Sequence, residues 1–166
     1  MIGAILKGMY TTLKHAFRPP VTIQYPEQKK PTSYRFKGRH ELKRYDNGLE
    51  KCIGCALCAA ACPADAIFVE AAENKDEERF SPGERYASTY EINMLRCIFC
   101  GYCEDACPTE AIVLEQNYEL SFYDRASALY TKEMLIVPVP EGAVDTPQQV
   151  EPGAFDRAIP DMKDPI

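Results

Sequence analysis

Two cysteine runs dominate this chain. Residues 52–62 and 97–107 each read C-x2-C-x2-C-x3-C, and each is followed by proline, Pro63 and Pro108. Together they use all eight cysteines. This spacing is the pattern of bacterial [4Fe–4S] ligation, in which the fourth cysteine of a run serves the cluster of the other run. The geometry explains it. A cubane needs one thiolate on each of four irons. Three cysteines two residues apart curl round one cluster in a single loop. The fourth, three residues on and stopped by proline, starts a short helical turn that points away. The expected ligand sets are therefore Cys52, Cys55, Cys58 and Cys107 for one cluster, and Cys97, Cys100, Cys103 and Cys62 for the other. Crossed sets make the two halves one folding unit.

Other uses of eight cysteines fit less well. Disulfides suit a secreted chain, and the N-terminal stretch, broken by Lys7 and Lys14 and ending in Arg18-Pro19-Pro20, does not read as a secretory signal. Paired CxxC zinc sites do not call for a third x2-spaced cysteine or for Cys-Pro. The second cysteine of each run, Cys55 and Cys100, is present, as a four-iron cluster needs. Around the ligands, Ile53, Leu57, Ile67, Ile98, Phe99 and Ile112 are expected to form an apolar shell. Gly54 and Gly101 let the backbone come close, with N–H groups free to face sulfur.

The runs belong to an internal repeat. Residues 52–70 and 97–115 match at ten of nineteen positions, offset by 45. Between them, Glu73–Arg79 and Ser81-Pro82-Gly83 have loop composition, and Tyr86–Ile92 alternates as a strand. The expected fold is α+β, a dicluster core over 51–116 with approximate two-fold symmetry. Residues 1–18 read as an amphipathic helix, with Ile2, Ile5, Leu6, Met9, Leu13, Ala16 and Phe17 on one face and Lys7, Thr11, Lys14 and Arg18 on the other. Pro19-Pro20 ends it. Residues 19–50, with four prolines and many Lys, Arg and Tyr, read as an extended basic segment. Residues 117–136 are expected to be a helical extension, with a helix from Ser121 to Met134, Ser121 as its N-cap and Asp124 in the capping-box position. Six prolines beyond Leu135 make 137–166 a tail without long regular structure.

Charge is split unevenly. Residues 1–50 carry +6 and residues 51–166 carry −12, within a total of −6. The basic part suits anionic lipid, a partner or nucleic acid, and the acidic part argues against nucleic acid as the main partner of the core. No apolar run reaches the roughly 20 residues that span a bilayer. No glycine-rich phosphate loop, nucleophile elbow or paired catalytic acids are present, so no direct NAD or flavin binding is expected. The helix at 1–18 suits a membrane or a membrane protein, basic face at the head groups. His15 and His40 read as structural. Tyr118, Phe122, Tyr123 and Tyr130 read as core or interface packing.

The dicluster core resembles bacterial two-[4Fe–4S] ferredoxins, and the flanks narrow the likeness. Lys7-Gly8-Met9, Thr12-Leu13-Lys14-His15, Pro20–Pro26, Arg35–His40 and Arg96–Cys103 resemble the ferredoxin-type subunit of respiratory complex I, the proton-pumping NADH:quinone oxidoreductase, over residues 3–135. That resemblance implies an electron wire without a substrate site of its own. Its two clusters would take electrons that began on NADH and flavin in other subunits and pass them to a terminal cluster that reduces quinone. It implies partners in the flavin- and cluster-bearing peripheral-arm subunits, the quinone-site subunits and the membrane arm. It also implies a peripheral place on the cytoplasmic face of a bacterial inner membrane. The length favours an assembled subunit over a diffusing ferredoxin; a related subunit of a membrane-bound hydrogenase is the other reading.

Overall fold

The computed structural model describes residues 2–148, and the chain divides into two units, one up to Tyr34 and one from Arg35 onward.

The first unit is built on α1, Ile2–Ala16. Its helix period holds as expected, and Lys14 and His15 sit in its last turn, where cations favour the helix dipole. Thr11 and Thr12 turn their hydroxyls back to the carbonyls of Lys7 and Met9. Arg18 N–H reaches His15 O just past the helix end, and Pro19-Pro20 follows. Ile2, Ile5, Leu6, Met9 and Leu13 are all exposed. Among the described residues, no helix is long and apolar enough to cross a membrane. Residues 17–34 form no helix or strand.

The second unit is a small mixed fold of short elements: β1 (His40–Leu42), α2 (Leu57–Ala60), β2 (Ile67–Glu73), β3 (Arg85–Asn93), α3 (Tyr102–Asp105), β4 (Ile112–Leu114), β5 (Leu129–Thr131) and α4 (Lys132–Leu135). β1 and β4 make an antiparallel ribbon, with His40 opposite Leu114 and Leu42 opposite Ile112. β2, β3 and β5 make an antiparallel sheet, with Ile67 opposite Ile92 and Val69 opposite Tyr90. The strand before each cysteine run thus pairs with the strand after the other run. Inward residues alternate along β3, so that Ala87, Tyr90 and Ile92 are buried; the bulge at Glu70/Ala71 shifts the register once. Leu42, Ile112, Leu114, Tyr130, Met94 and Leu135 complete the core, with Cys58 and Cys103 among them.

The stretch after the second run departs from expectation. No helix spans Ser121–Met134. Residues 123–128 are bends and turns, Leu129–Thr131 is strand β5, and only Lys132–Leu135 is helical. Two forces override the helical period. Asp124 accepts Ser127 N–H while Ser127 Oγ donates to Asp124 O, closing a local turn. Tyr130 and Leu129 then pair with Ile92 and Asn93 on the free edge of β3. Ser121 caps nothing. Tyr130 is buried against Phe122, whereas Tyr123 is fully exposed. Residues 137–148 have no helix or strand, as their prolines require, yet they are tied down. Val137 N–H bonds Leu42 O, Arg44 pairs with Asp145, and Gln148 bridges to Arg79. The rest of the expected tail lies outside the described residues.

Candidate metal centres

The eight cysteines fall into two groups around two cavities. Cys52, Cys55, Cys58 and Cys107 line the first, with Leu42, Ile53, Val69, Tyr90, Thr109 and Ile112. Cys62, Cys97, Cys100 and Cys103 line the second, with His40, Ala64, Ile67 and Ile98. Each draws three cysteines from one run and the fourth from the other. None of the eight is in a disulfide.

Backbone conformation repeats at the offset of 45. Gly54 and Phe99, Ala56 and Gly101, and Asp65 and Glu110 all have positive φ. Left-handed turns at matching places curl both loops alike. They also aim N–H groups at sulfur in matching pairs. Gly54 and Phe99 donate to Cys52 and Cys97, and Ala66 and Ala111 donate to Cys62 and Cys107 at 3.3 and 3.2 Å. Side chains add donors that differ. Tyr90 Oη lies 3.3 Å from Cys58 Sγ, Thr109 Oγ1 3.7 Å from Cys107 Sγ, and His40 Nε2 3.7 Å from Cys97 Sγ.

The donor set fits a cubane. Burial pushes the Cys52 thiol up to about 11 and the Cys103 thiol to about 12, so these two shed their protons as iron binds. At Cys107 burial also acts upward, but N–H groups of Ile112, Ala111 and Thr109 and the Thr109 hydroxyl outweigh it and leave the thiol below its usual value. Among the described residues no group of three or more His, Cys, Asp or Glu closes on a single metal ion. The thiols stand round a cavity instead, as four irons at the corners of one body require.

The apolar shell is uneven. Ile53, Ile67, Ile98 and Ile112 line the cavities, but Ile98 is still 63 % exposed, and Leu57, in neither lining, is 48 % exposed. The β2–β3 hairpin sets Ile53 apart from its repeat counterpart Ile98, for Gly83 lies against Ile53 on the first loop. Gly54 is packed beneath the same hairpin, with room for no Cβ: one would sit 2.8 Å from Tyr86 O. Gly54→Ala should therefore cost about 1–3 kcal/mol in this left-handed position, read as earlier thermal loss of cluster absorbance. An unchanged transition would deny the close approach. Gly101 is just as tight for a different reason, since Lys37 crosses it to donate to Cys100 O. His40 and Tyr90, read from sequence as structural or not singled out, are the polar residues that sequence reasoning missed. Only the register of the strands brings them to the sulfurs.

A family model for a 4Fe–4S dicluster domain matches residues 51–111. NADH-quinone oxidoreductase subunit I 1 of Symbiobacterium thermophilum is 53% identical over 158 residues, covering 95% of this chain and 97% of that protein. The chain belongs to the subunit I family of NADH-quinone oxidoreductase. As a member it carries two [4Fe–4S] clusters and transfers electrons as one subunit of that oxidoreductase. Among solved structures, a chain of the membrane-bound sulfane sulfur reductase, an archaeal respiratory membrane complex, is similar at TM-score 0.48 and 28% identity, over 93% of this chain and 69% of that one.

Proposed function

We propose that the chain is a fixed two-cluster wire with crossed ligands. Cys52, Cys55, Cys58 and Cys107 hold one cluster, and Cys97, Cys100, Cys103 and Cys62 hold the other, about an approximate two-fold axis. The observation that carries this reading is the lining of the two cavities, three cysteines from one run and one from the other in each case. The matched strand registers and left-handed turns support the two-fold. When bound, the clusters supply one-electron redox capacity; the chain's residues hold them, exclude water and bring them close. Cys58 and Cys103 lie in the same core cluster between the two sites, near enough for their thiols to feel one another's charge.

In the assembly, electrons arrive from flavin- and cluster-bearing peripheral-arm subunits and leave toward a terminal cluster and quinone. The chain sits peripherally at the cytoplasmic face of a bacterial inner membrane, with residues 1–18 docked on the membrane arm or lipid and the basic segment 19–50 lying beside it. Residues 51–116 are the dicluster domain, followed by the 117–136 extension and the tail. The exposed apolar side chains of α1 support the docking.

Iron and sulfide analysis of the complex should give about eight of each for this chain, and flavin-containing and quinone-site subunits should co-purify from membranes. A soluble monomer that trades electrons freely with soluble carriers would refute the wire; a nickel–iron partner would assign it to a hydrogenase.

A further inference from the structure

The strand positions that face the two sites carry different polar side chains. Val69 and Leu114 are counterparts at the repeat offset of 45, and they pair with Tyr90 and His40. Both partners are about 1 % exposed. A buried phenol or imidazole needs a hydrogen-bond partner. Tyr90 Oη finds Cys58 Sγ at 3.3 Å. For His40, Nε2 faces Cys97 Sγ at 3.7 Å, while Nδ1 is buried with no partner. A hydrogen on Nδ1 would be stranded, so the neutral ring carries it on Nε2 and donates it to sulfur.

We propose that Tyr90 and His40 are paired positioning residues for the reduction potentials, each tuning its own site through one hydrogen bond to one ligand sulfur. This rests on Cys58 and Cys97 being ligands of separate clusters, and not on which remote cysteine completes each. One electron arrives at a site from the NADH side of the complex and leaves toward the quinone side, with no proton or covalent bond exchanged. While it resides there, the sulfurs are more negative. A donated hydrogen bond stabilises that reduced form more than the oxidised one and raises the potential. Tyr90 lines only the first cavity and His40 only the second, so the two effects are separable. Thr109 adds a second hydroxyl near Cys107 at the first site, where the repeat counterpart at the second is Ala64.

The test is an EPR-monitored redox titration of the intact complex. Signals are assigned beforehand by which one Cys55→Ser or Cys100→Ser abolishes. Tyr90→Phe keeps the ring and loses the donor. It should lower the ratio of reduced to oxidised first cluster at fixed potential about threefold, roughly 30 mV at 59 mV per tenfold, and leave the second unmoved. His40→Leu should do the reverse. His40→Gln, which retains an N–H, should restore most of the loss, and it carries the second arm if the leucine variant does not assemble. Tyr90→Phe moving neither potential, or both equally, would overturn the proposal. So would His40→Leu and His40→Gln behaving alike. A failure of the crossed assignment would show instead in the remote-cysteine variants, with Tyr90→Phe still acting on the site of Cys58.

Discussion

Replacing Cys107 with serine is expected to abolish the EPR signal that Cys55→Ser abolishes, and to spare the one that Cys100→Ser removes. Iron should fall from about eight to about four per chain. Cys62→Ser should do the mirror image. The effect is expected to be large because, on the proposed crossed ligation, each cluster takes its fourth thiolate from the far run, and Cys107 lines the cavity of Cys52, Cys55 and Cys58. Serine keeps the size of the side chain and loses the sulfur. The N–H groups of Ala111 and Ala66 that now point at the two remote sulfurs would remain in place, so the loss would be one of ligation and not of the loop. If Cys107→Ser instead removed the signal of the second run, each run would hold its own cluster and the crossed reading would fall.

The second large effect is expected at Lys132. Its Nζ lies 2.8 Å from Glu50 Oε2, with the two side chains 12 % and 5 % exposed. The pair attracts by charge. Lys132 also donates to Ala87 O and lies over the stacked rings of Phe80 and Tyr86. Burial already raises the Glu50 carboxyl, and Lys132 and then Arg44 hold it down. Lys132→Met fills the space but leaves Glu50 buried without its nearest cation. Breaking a buried pair on one side costs about 3 kcal/mol or more, which for a chain of this size lowers the melting temperature by about 6–12 °C. The double variant Lys132→Met/Glu50→Gln should recover most of it, since the uncompensated charge is gone. A single variant as stable as the parent would mean that the pair is solvated in the native state.

What was legible in the sequence followed from covalent spacing. The loops round the cavities, the glycine at 54, the strand at 86–92 and the helix at 2–16 all rest on patterns within about twenty residues. The misread stretch at 121–134 shows the limit. Ala126, Leu129 and Tyr130 satisfy a helical period, but an open edge on β3, nearly forty residues back in the chain, offers Tyr130 a better place. Local propensity is a weak prior when such an edge is free. The same limit hid His40 and Tyr90. A lone histidine carries no motif, and its approach to Cys97 depends on β1 pairing with a strand beyond the second run. The exposure of Ile98 was hidden because the hairpin covers only its counterpart Ile53.

The β1–β4 ribbon bears on how the protein is made. β1 ends at Leu42, and its partner begins at Ile112. At a synthesis rate of roughly 5–20 residues per second, β1 leaves the ribosome several seconds to more than ten seconds ahead of the strand it needs. For that interval Leu42 and His40 have nowhere to be buried, and the first three thiols stand in a loop whose wall is still untranslated. Iron delivered early would meet an incomplete shell open to water and oxygen. The shell round the first three thiols is therefore complete only once residue 114 has emerged.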